Sequence, residues 1–261
     1  MDWSPGYREF APPAALRPAV YCLWVSVVSA GGAPPRLVLP DACVDLIWQQ
    51  GQGVFVAGPD TGPVPSPLAP GTVLAGVRLR PGAGGPALGM PLSVLLDQRV
   101  DAVDLRAVHP AGPTADLARL PGSLAPDVAM RRLIQIAHGM TDAGPPDPLV
   151  TETVRRLSRP GAQVETVAAD LDVSERQLRR RSHAAVGYGP ATLRRVLRFR
   201  RFVSSVDQIG EAADLAGLAA KTGYADQAHL TRESTRLAGL SPAALARVRH
   251  HGLVKLGIEE T

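Results

Sequence analysis

Four arginines crowd into one short run, Arg176, Arg179, Arg180 and Arg181 in SERQLRRRS. A guanidinium is a rigid fork of donors that fits phosphate oxygens and the edge of guanine. Further along, Gln227, His229, Thr231 and Arg232 form a second polar set in DQAHLTRE. Gln, Arg and Thr are residue types that contact adenine, guanine and phosphate. So much arginine with so little carboxylate on one helix is self-repelling unless an anion neutralises it. The chemistry implied is recognition of a polyanion; a solvated basic helix is the plain alternative.

The elements that must position these residues repeat. LRRRSHAAVGYGPATL from Leu178 aligns with LTRESTRLAGLSPAAL from Leu230, an offset of 52. This brings Arg180 onto Arg232, Ser182 onto Ser234, Gly187 onto Gly239, Pro190 onto Pro242 and Leu193 onto Leu245. Upstream, Val167-Ala168-Ala169 matches Leu218-Ala219-Ala220 at an offset of 51. Internal self-similarity of this kind marks a repeated supersecondary unit. Each copy reads as a short helix, a turn and a second helix.

In the first copy Val164, Val167, Ala168 and Leu171 form the packed face, Asp172-Val173 the turn with Val173 buried, and Ser174 the N-cap. In the second, Leu215, Leu218 and Ala219 pack, Gly223 ends the leading helix, Tyr224 takes the place of Val173, and Asp226 caps. A long amphipathic helix over Ala191–Val206 joins the copies, with Leu193, Val196, Leu197 and Val203 on one face and Arg194, Arg198 and Arg201 on another.

GYADQAHLTRE followed by GLSPAALAR resembles the second helix-turn-helix signature of the AraC/XylS family of bacterial regulators. The resemblance covers about Leu149–Arg249. It implies sequence-specific binding of double-stranded promoter or operator DNA, with the two recognition helices in successive major grooves, roughly 34 Å apart. Carried over by position, the DNA-contacting places fall on Arg176, Arg179 and Arg180 in the first copy and on Gln227, Ala228 and Arg232 in the second, joined by Thr231. It also implies a small-molecule effector, RNA polymerase and a second copy of the chain as partners, and leaves activator versus repressor open. Family members usually carry phenylalanine where this chain has Ser182 and Ser234. Losing a buried Phe typically costs about 3–5 kcal/mol unless neighbours adjust, so compensating packing is expected from Leu237, Phe199 and Phe202.

Charge divides the chain the same way. Residues 1–147 hold 10 Lys+Arg against 12 Asp+Glu, and residues 148–261 hold 18 against 12. The N-terminal half is broken by Pro and Gly at 31–35, 58–71 and 80–86, between strand-like runs at Val20–Val28, Arg36–Leu39, Cys43–Trp48, Val54–Ala57 and Thr72–Leu79. This predicts an antiparallel sandwich or barrel. Helices are expected over PLSVLLDQRV, where Leu92, Leu95, Leu96 and Val100 share a face, and over Thr114–Leu120 and Ala125–His138. The fold class is therefore α+β. A β-rich sensor and dimerisation domain (1–140, cupin-like by analogy with the family) leads through a linker at 141–148 into an all-α DNA-binding domain at 149–250.

A cupin-like half raises an enzyme alternative, but the first histidine is His109, followed by His138, His183, His229, His250 and His251, none on a predicted strand. A His-rich metal site is therefore not expected. Cys22 and Cys43 with Asp41 and Asp45 form a metal or redox set or, more plainly, two small buried hydrophobes. GAGG at 82–85 reads as a turn without the helix start a phosphate loop needs. Trp24, Asp41, Cys43, Trp48 and Arg78, with Arg80, are the candidates to line a ligand cavity. No catalytic residue, cofactor, metal or membrane span is expected, and the expected location is the cytoplasm, at the nucleoid. The competing readings are a protein-binding adaptor with a degenerate helical domain and a small-molecule or metal-dependent enzyme fused to one.

Overall fold

A computed structural model of the chain describes residues 1, 3–32, 36–108, 114–209, 214–250 and 254–255. His109 and His251 lie outside the described residues. The N-terminal part begins with strands β1 (Gly6–Phe10), β2 (Val20–Val27), β3 (Arg36–Val38), β4 (Val44–Gln49), β5 (Gly53–Ala57), β6 (Val64–Ser66) and β7 (Val73–Leu79). Helix α1 (Gly84–Leu88), strand β8 (Arg99–Asp101) and helices α2 (Ala102–Val108), α3 (Thr114–Ala118) and α4 (Pro126–Ala143) follow. The main sheet runs β1-β2-β7-β4-β5-β8 with every neighbour antiparallel. A smaller sheet, β6-β3-β9, is completed by β9 (Val254–Lys255) from the far end of the chain.

Strand side chains alternate between faces, and the alternation separates a core from a cavity. Leu23 and Val25, Leu46 and Trp48, Val54 and Val56, and Ala75, Val77 and Leu79 point to one face, onto Leu88, Leu92, Leu95 and the α4 residues Met130, Leu133, Ala137 and Met140. Each large side chain buried there contributes about 1.5–3 kcal/mol. Their neighbours Cys22 and Trp24, Asp45 and Ile47, Phe55 and Ala57, and Leu74 and Arg78 point to the other face.

Two expectations need correcting. The run PLSVLLDQRV does not form one helix. Leu92–Leu95 is a single 3-10 turn, Leu96 is extended, and Arg99–Asp101 pairs with β5 as an edge strand. Helical spacing of leucines there served a turn that plugs the core with Leu92 and Leu95. GAGG is also not only a turn, since α1 starts at Gly84. Its glycines permit close packing: a Cβ on Gly84 would come within 2.9 Å of Val44 and Leu92, and one on Gly85 within 2.4 Å of the Ala184 carbonyl.

The C-terminal part is helical: α5 (Pro148–Leu157), α6 (Val164–Asp170), α7 (Glu175–Val186), α8 (Pro190–Ile209), α9 (Leu215–Thr222), α10 (Gln227–Ala238) and α11 (Pro242–His250). Asp147 caps α5, Ser174 closes a reciprocal capping box with Gln177 on α7, and Asp226 accepts from the His229 amide at the start of α10. Gly187, Gly223 and Gly239 end α7, α9 and α10 in left-handed conformation. Helix α8 contributes to two cores. Leu193, Val196 and Leu197 join Val150, Leu157, Val167 and Val186. Phe199, Phe202, Val203 and Val206 join Leu218, Tyr224, Leu230, Leu237 and Leu245.

The segment between β3 and β4 reaches into both. Leu39 is buried in the core of the second copy and Ala42 in that of the first. Helix α1 and the 3-10 turn also pack on α7. At its end, a Cβ on Gly187 would come within 2.7 Å of Pro59 and 3.2 Å of the Leu92 carbonyl.

Candidate functional site

The two repeats fold as helix-turn-helix units, α6–α7 and α9–α10, around the shared helix α8. On α7, Leu178 and Ser182 face inward, while Arg176, Arg179 and Arg180 are exposed. These three make no side-chain hydrogen bond or ion pair among the described residues. The fourth arginine is different. Arg181 donates from Nε and Nη2 to the Asp147 carboxylate at 2.7 and 2.6 Å, tying α7 to the cap of α5. Val173 in the turn is half-buried rather than buried.

On α10, Gln227, Ala228 and Arg232 are exposed and Thr231 is half-exposed. The Thr231 hydroxyl donates back to the Gln227 carbonyl at 2.8 Å, which leaves its lone pairs outward. His229 is drawn inward. It lies edge-on to Tyr224 with ring centroids 5.2 Å apart, and its Nε2 is 3.2 Å from Arg198.

The basic face that the sequence gives α8 is structural. Arg194 donates to the Ala162 carbonyl at 3.2 Å and to Gln163, ahead of α6. Arg201 donates to the Thr222 carbonyl at 2.7 Å and to that of Ser158. Arg198 pairs with Glu233, a carboxylate only 5% exposed on α10, and stacks over Tyr224 at 4.6 Å. Burial works against the charge on Arg198, but Glu233 outweighs it and holds the guanidinium's pKa above its usual value. The twenty residues of α8 extend about 30 Å at 1.5 Å each, near the one-turn spacing that two recognition helices need.

The doubled serines have unequal fates. Ser234 Oγ donates to the Leu240 carbonyl at 2.8 Å. Ser182 Oγ is fully buried with no hydrogen-bond partner among the described residues. Phe199, Phe202 and Leu237, the neighbours named above, are all buried in the core of the second copy.

The second site is a cavity of about 300 Å³ between the six-stranded and the three-stranded sheets. Of the five ligand candidates, Trp24, Asp41, Cys43 and Arg78 line it. Trp48 does not. It stands on the opposite face of β4 from Asp45 and Ile47, fully buried, with Nε1 donating to the Pro121 carbonyl at 3.0 Å. Counting by twos from Asp45 would have excluded it. Arg80 also lies elsewhere, stacked on Tyr21. The sequence did not single out Tyr7, Phe55, Asp60 or Arg99, which join the lining from distant positions.

Trp24 rests on Gly76, where a Cβ would come within 2.1 Å of the indole, and donates from Nε1 to Asp45 at 2.6 Å. Arg78 Nε donates to Asp45 at 3.1 Å and Nη1 to Glu9 at 3.3 Å, with Asp41 at 3.7 Å. Arg99 holds Asp60 through two bonds of 2.9 and 2.7 Å. Burial pushes the Asp45 and Asp60 carboxyls up, opposed by Arg78 and Arg99 respectively. Burial likewise pushes up both cysteine thiols, which are free and buried, as small hydrophobes would be. No cluster of three metal-ligating side chains occurs among the described residues. No helix among them is long and apolar enough to cross a membrane.

Residues 151–247 match the family described as a helix-turn-helix domain, and residues 8–101 match a domain of unknown function (DUF6597). No curated protein matches the chain. Among solved structures, an apo lysine-to-alanine variant of ToxT from Vibrio cholerae is 9% identical, covers 90% of this chain and 97% of its own, and has a TM-score of 0.43. Wild-type ToxT with a bound unsaturated fatty acid, from the same species, is 10% identical over 93% of this chain and 98% of its own, again at 0.43. The helix-turn-helix match falls on the two repeats, whose second carries the signature of residues 223–247. Residues 151–247 are thus an AraC-type helix-turn-helix domain, the DNA-binding module of transcription regulators.

Proposed function

We propose that this regulator reads operator DNA with Arg176, Arg179 and Arg180 on α7 and with Gln227, Ala228, Thr231 and Arg232 on α10, under control of an effector held in the N-terminal cavity. The observation that carries the DNA-contact assignment is that the three α7 arginines are exposed and, among the described residues, unpartnered, beside a fourth that is tied down. Guanidiniums left free on one helix face are available to phosphate and guanine. The division into a sensor over 1–140, a linker at 141–148 and a DNA-binding domain over 149–250 belongs to the same proposal. So does a cytoplasmic site of action.

Effector control is supported by the path of residues 39–43. Asp41 and Cys43 line the cavity, while Leu39 and Ala42 are buried in the two helix-turn-helix cores. Ala42 holds a positive φ of 69°, a conformation unfavourable for a residue with a Cβ. A ligand that moves Asp41 therefore moves side chains in both DNA-binding cores.

A mobility-shift titration with DNA from upstream of the gene tests the reading. Binding that weakens steeply with salt is expected, and absence of binding at low salt would overturn it. For control by the effector, Leu39→Ala is expected to change operator affinity while leaving ligand binding in the cavity intact.

A further inference from the structure

The cavity holds more carboxylate than guanidinium. Asp41, Asp45 and Asp60 line it, with Glu9 bonded behind Arg78, against Arg78 and Arg99 alone. Both guanidiniums are committed. Arg99 is held in both directions by Asp60, and Arg78 lies among Asp45, Glu9 and Asp41. An anionic ligand would have to displace a carboxylate from a shielded guanidinium and then sit among the remaining carboxylates, a like-charge arrangement that is unfavourable away from water.

A cation meets the opposite conditions. Asp41 Oδ1 accepts from the Cys43 amide at 2.8 Å, but Oδ2 has Arg78 only at 3.7 Å, beyond a hydrogen bond. One carboxylate oxygen on the cavity wall therefore has acceptor capacity left. Beside it stand the aromatic rings of Trp24, Tyr7 and Phe55, with Ile47 and Leu74 as apolar wall. Trp24 is fixed from two sides, by Gly76 beneath it and Asp45 at its Nε1, and stacks near Tyr7 with centroids 5.7 Å apart. A fixed indole and phenol wall next to a carboxylate is suited to an ammonium group, through ion pairing and attraction to the ring faces. The size is that of a small ligand, at the lower end of ordinary ligand sites.

Resting on the reading of this cavity as the effector site, we propose that the effector is an organic cation, an amine or quaternary ammonium on an aromatic or apolar body, held by Asp41 and Trp24. The test uses the full chain and three probes of similar shape: benzyltrimethylammonium, neutral 2-methyl-1-phenyl-2-propanol and anionic 3-phenylpropionate, each titrated calorimetrically. The ammonium is expected to bind at least tenfold more tightly than either of the others. Asp41→Asn is expected to bring it within about threefold of the alcohol, while Asp104→Asn, exposed on α2, leaves the ranking unchanged.

Tighter binding of the propionate, or an ammonium preference that survives Asp41→Asn, overturns the cation assignment and leaves an effector cavity standing. If no probe binds at millimolar concentration while the chain still shifts DNA, the effector reading of the cavity fails with it. Should Asp41→Asn not fold, the ranking of the three probes on the unmodified chain decides.

Discussion

In the first helix-turn-helix copy, α7 leaves Arg176, Arg179 and Arg180 exposed and, among the described residues, unpartnered, and uses Arg181 for structure. In the second, α10 exposes Gln227, Ala228 and Arg232, and buries Glu233, which pairs with Arg198 and approaches Arg195 and His229. The two copies share a scaffold but distribute charge in opposite ways. The first directs cations outward and is held by apolar packing together with the Arg181–Asp147 pair at its edge. The second turns a carboxylate inward and adds a buried ion-pair network to the apolar core it shares with α8. Arginine count alone therefore says little about DNA contact, since most of the arginines on α8 are spent on carbonyls and carboxylates of their own domain.

The largest effect should come from breaking the inward network. Glu233→Ala leaves Arg198, whose side chain is only 15% exposed, without its carboxylate. Removing one partner of a buried pair costs about 3–5 kcal/mol. Urea unfolding of the full chain should show a loss of that order, with operator binding lost as α10 detaches from α8. A stability unchanged within error would mean that the apolar core of the second copy holds α10 on α8 without the ion pairs.

Next come the outward arginines. Arg179→Ala or Arg180→Ala should lower operator affinity about 10- to 100-fold. The slope of log affinity against log salt should flatten by roughly one for each phosphate that is no longer neutralised. Because neither side chain has a partner among the described residues, unfolding should be unaffected. A variant that loses stability but keeps the salt slope would place these arginines in the scaffold.

How far the sequence carried these distinctions depends on the range of the interaction. The repeat, the caps Ser174 and Asp226, the strand runs and the long α8 were legible, because each is written in neighbouring residues. What was not legible is which arginines find partners. Arg181 and Arg180 are adjacent and chemically identical, and they differ only because Asp147, 34 residues from Arg181, reaches one of them. The cavity illustrates the same limit. Strand alternation accounts for Asp45 and excludes Trp48, whereas the Arg99–Asp60 pair joins β8 to a loop 39 residues away. The misread segment 91–100 failed for a related reason: leucines at helical spacing also suit a 3-10 turn followed by an edge strand.

A smaller effect is expected from Arg232→Ala on α10. It is the one arginine among the proposed contacts of the second copy, and Ala228 beside it offers only a methyl contact. Affinity should fall about fivefold to tenfold, the low end of a base contact, and discrimination among operator variants should relax over the half-site that α10 faces. A loss exceeding that of Arg179→Ala would reverse the proposed ranking of the two copies.

The smallest effect separates the copies most cleanly, because the same substitution should have opposite signs. Ser234→Ala removes a hydroxyl that donates to the Leu240 carbonyl at 2.8 Å, a bond whose net contribution is about 1 kcal/mol. Stability should fall by roughly that amount. Ser182→Ala removes a buried hydroxyl that has no partner among the described residues, so the desolvation it suffers on folding disappears with it. Stability should hold or rise by up to about 1 kcal/mol. Both sites are fully buried, and Ser→Ala removes a single oxygen in each, so the cavity term is common to the two and cancels in the comparison. Parallel denaturation of the two variants therefore reads the hydroxyl's bonding alone. Equal destabilisation would mean that Ser182 also finds a hydrogen-bond partner in the folded protein, a bound water included, and that the two serines are held alike.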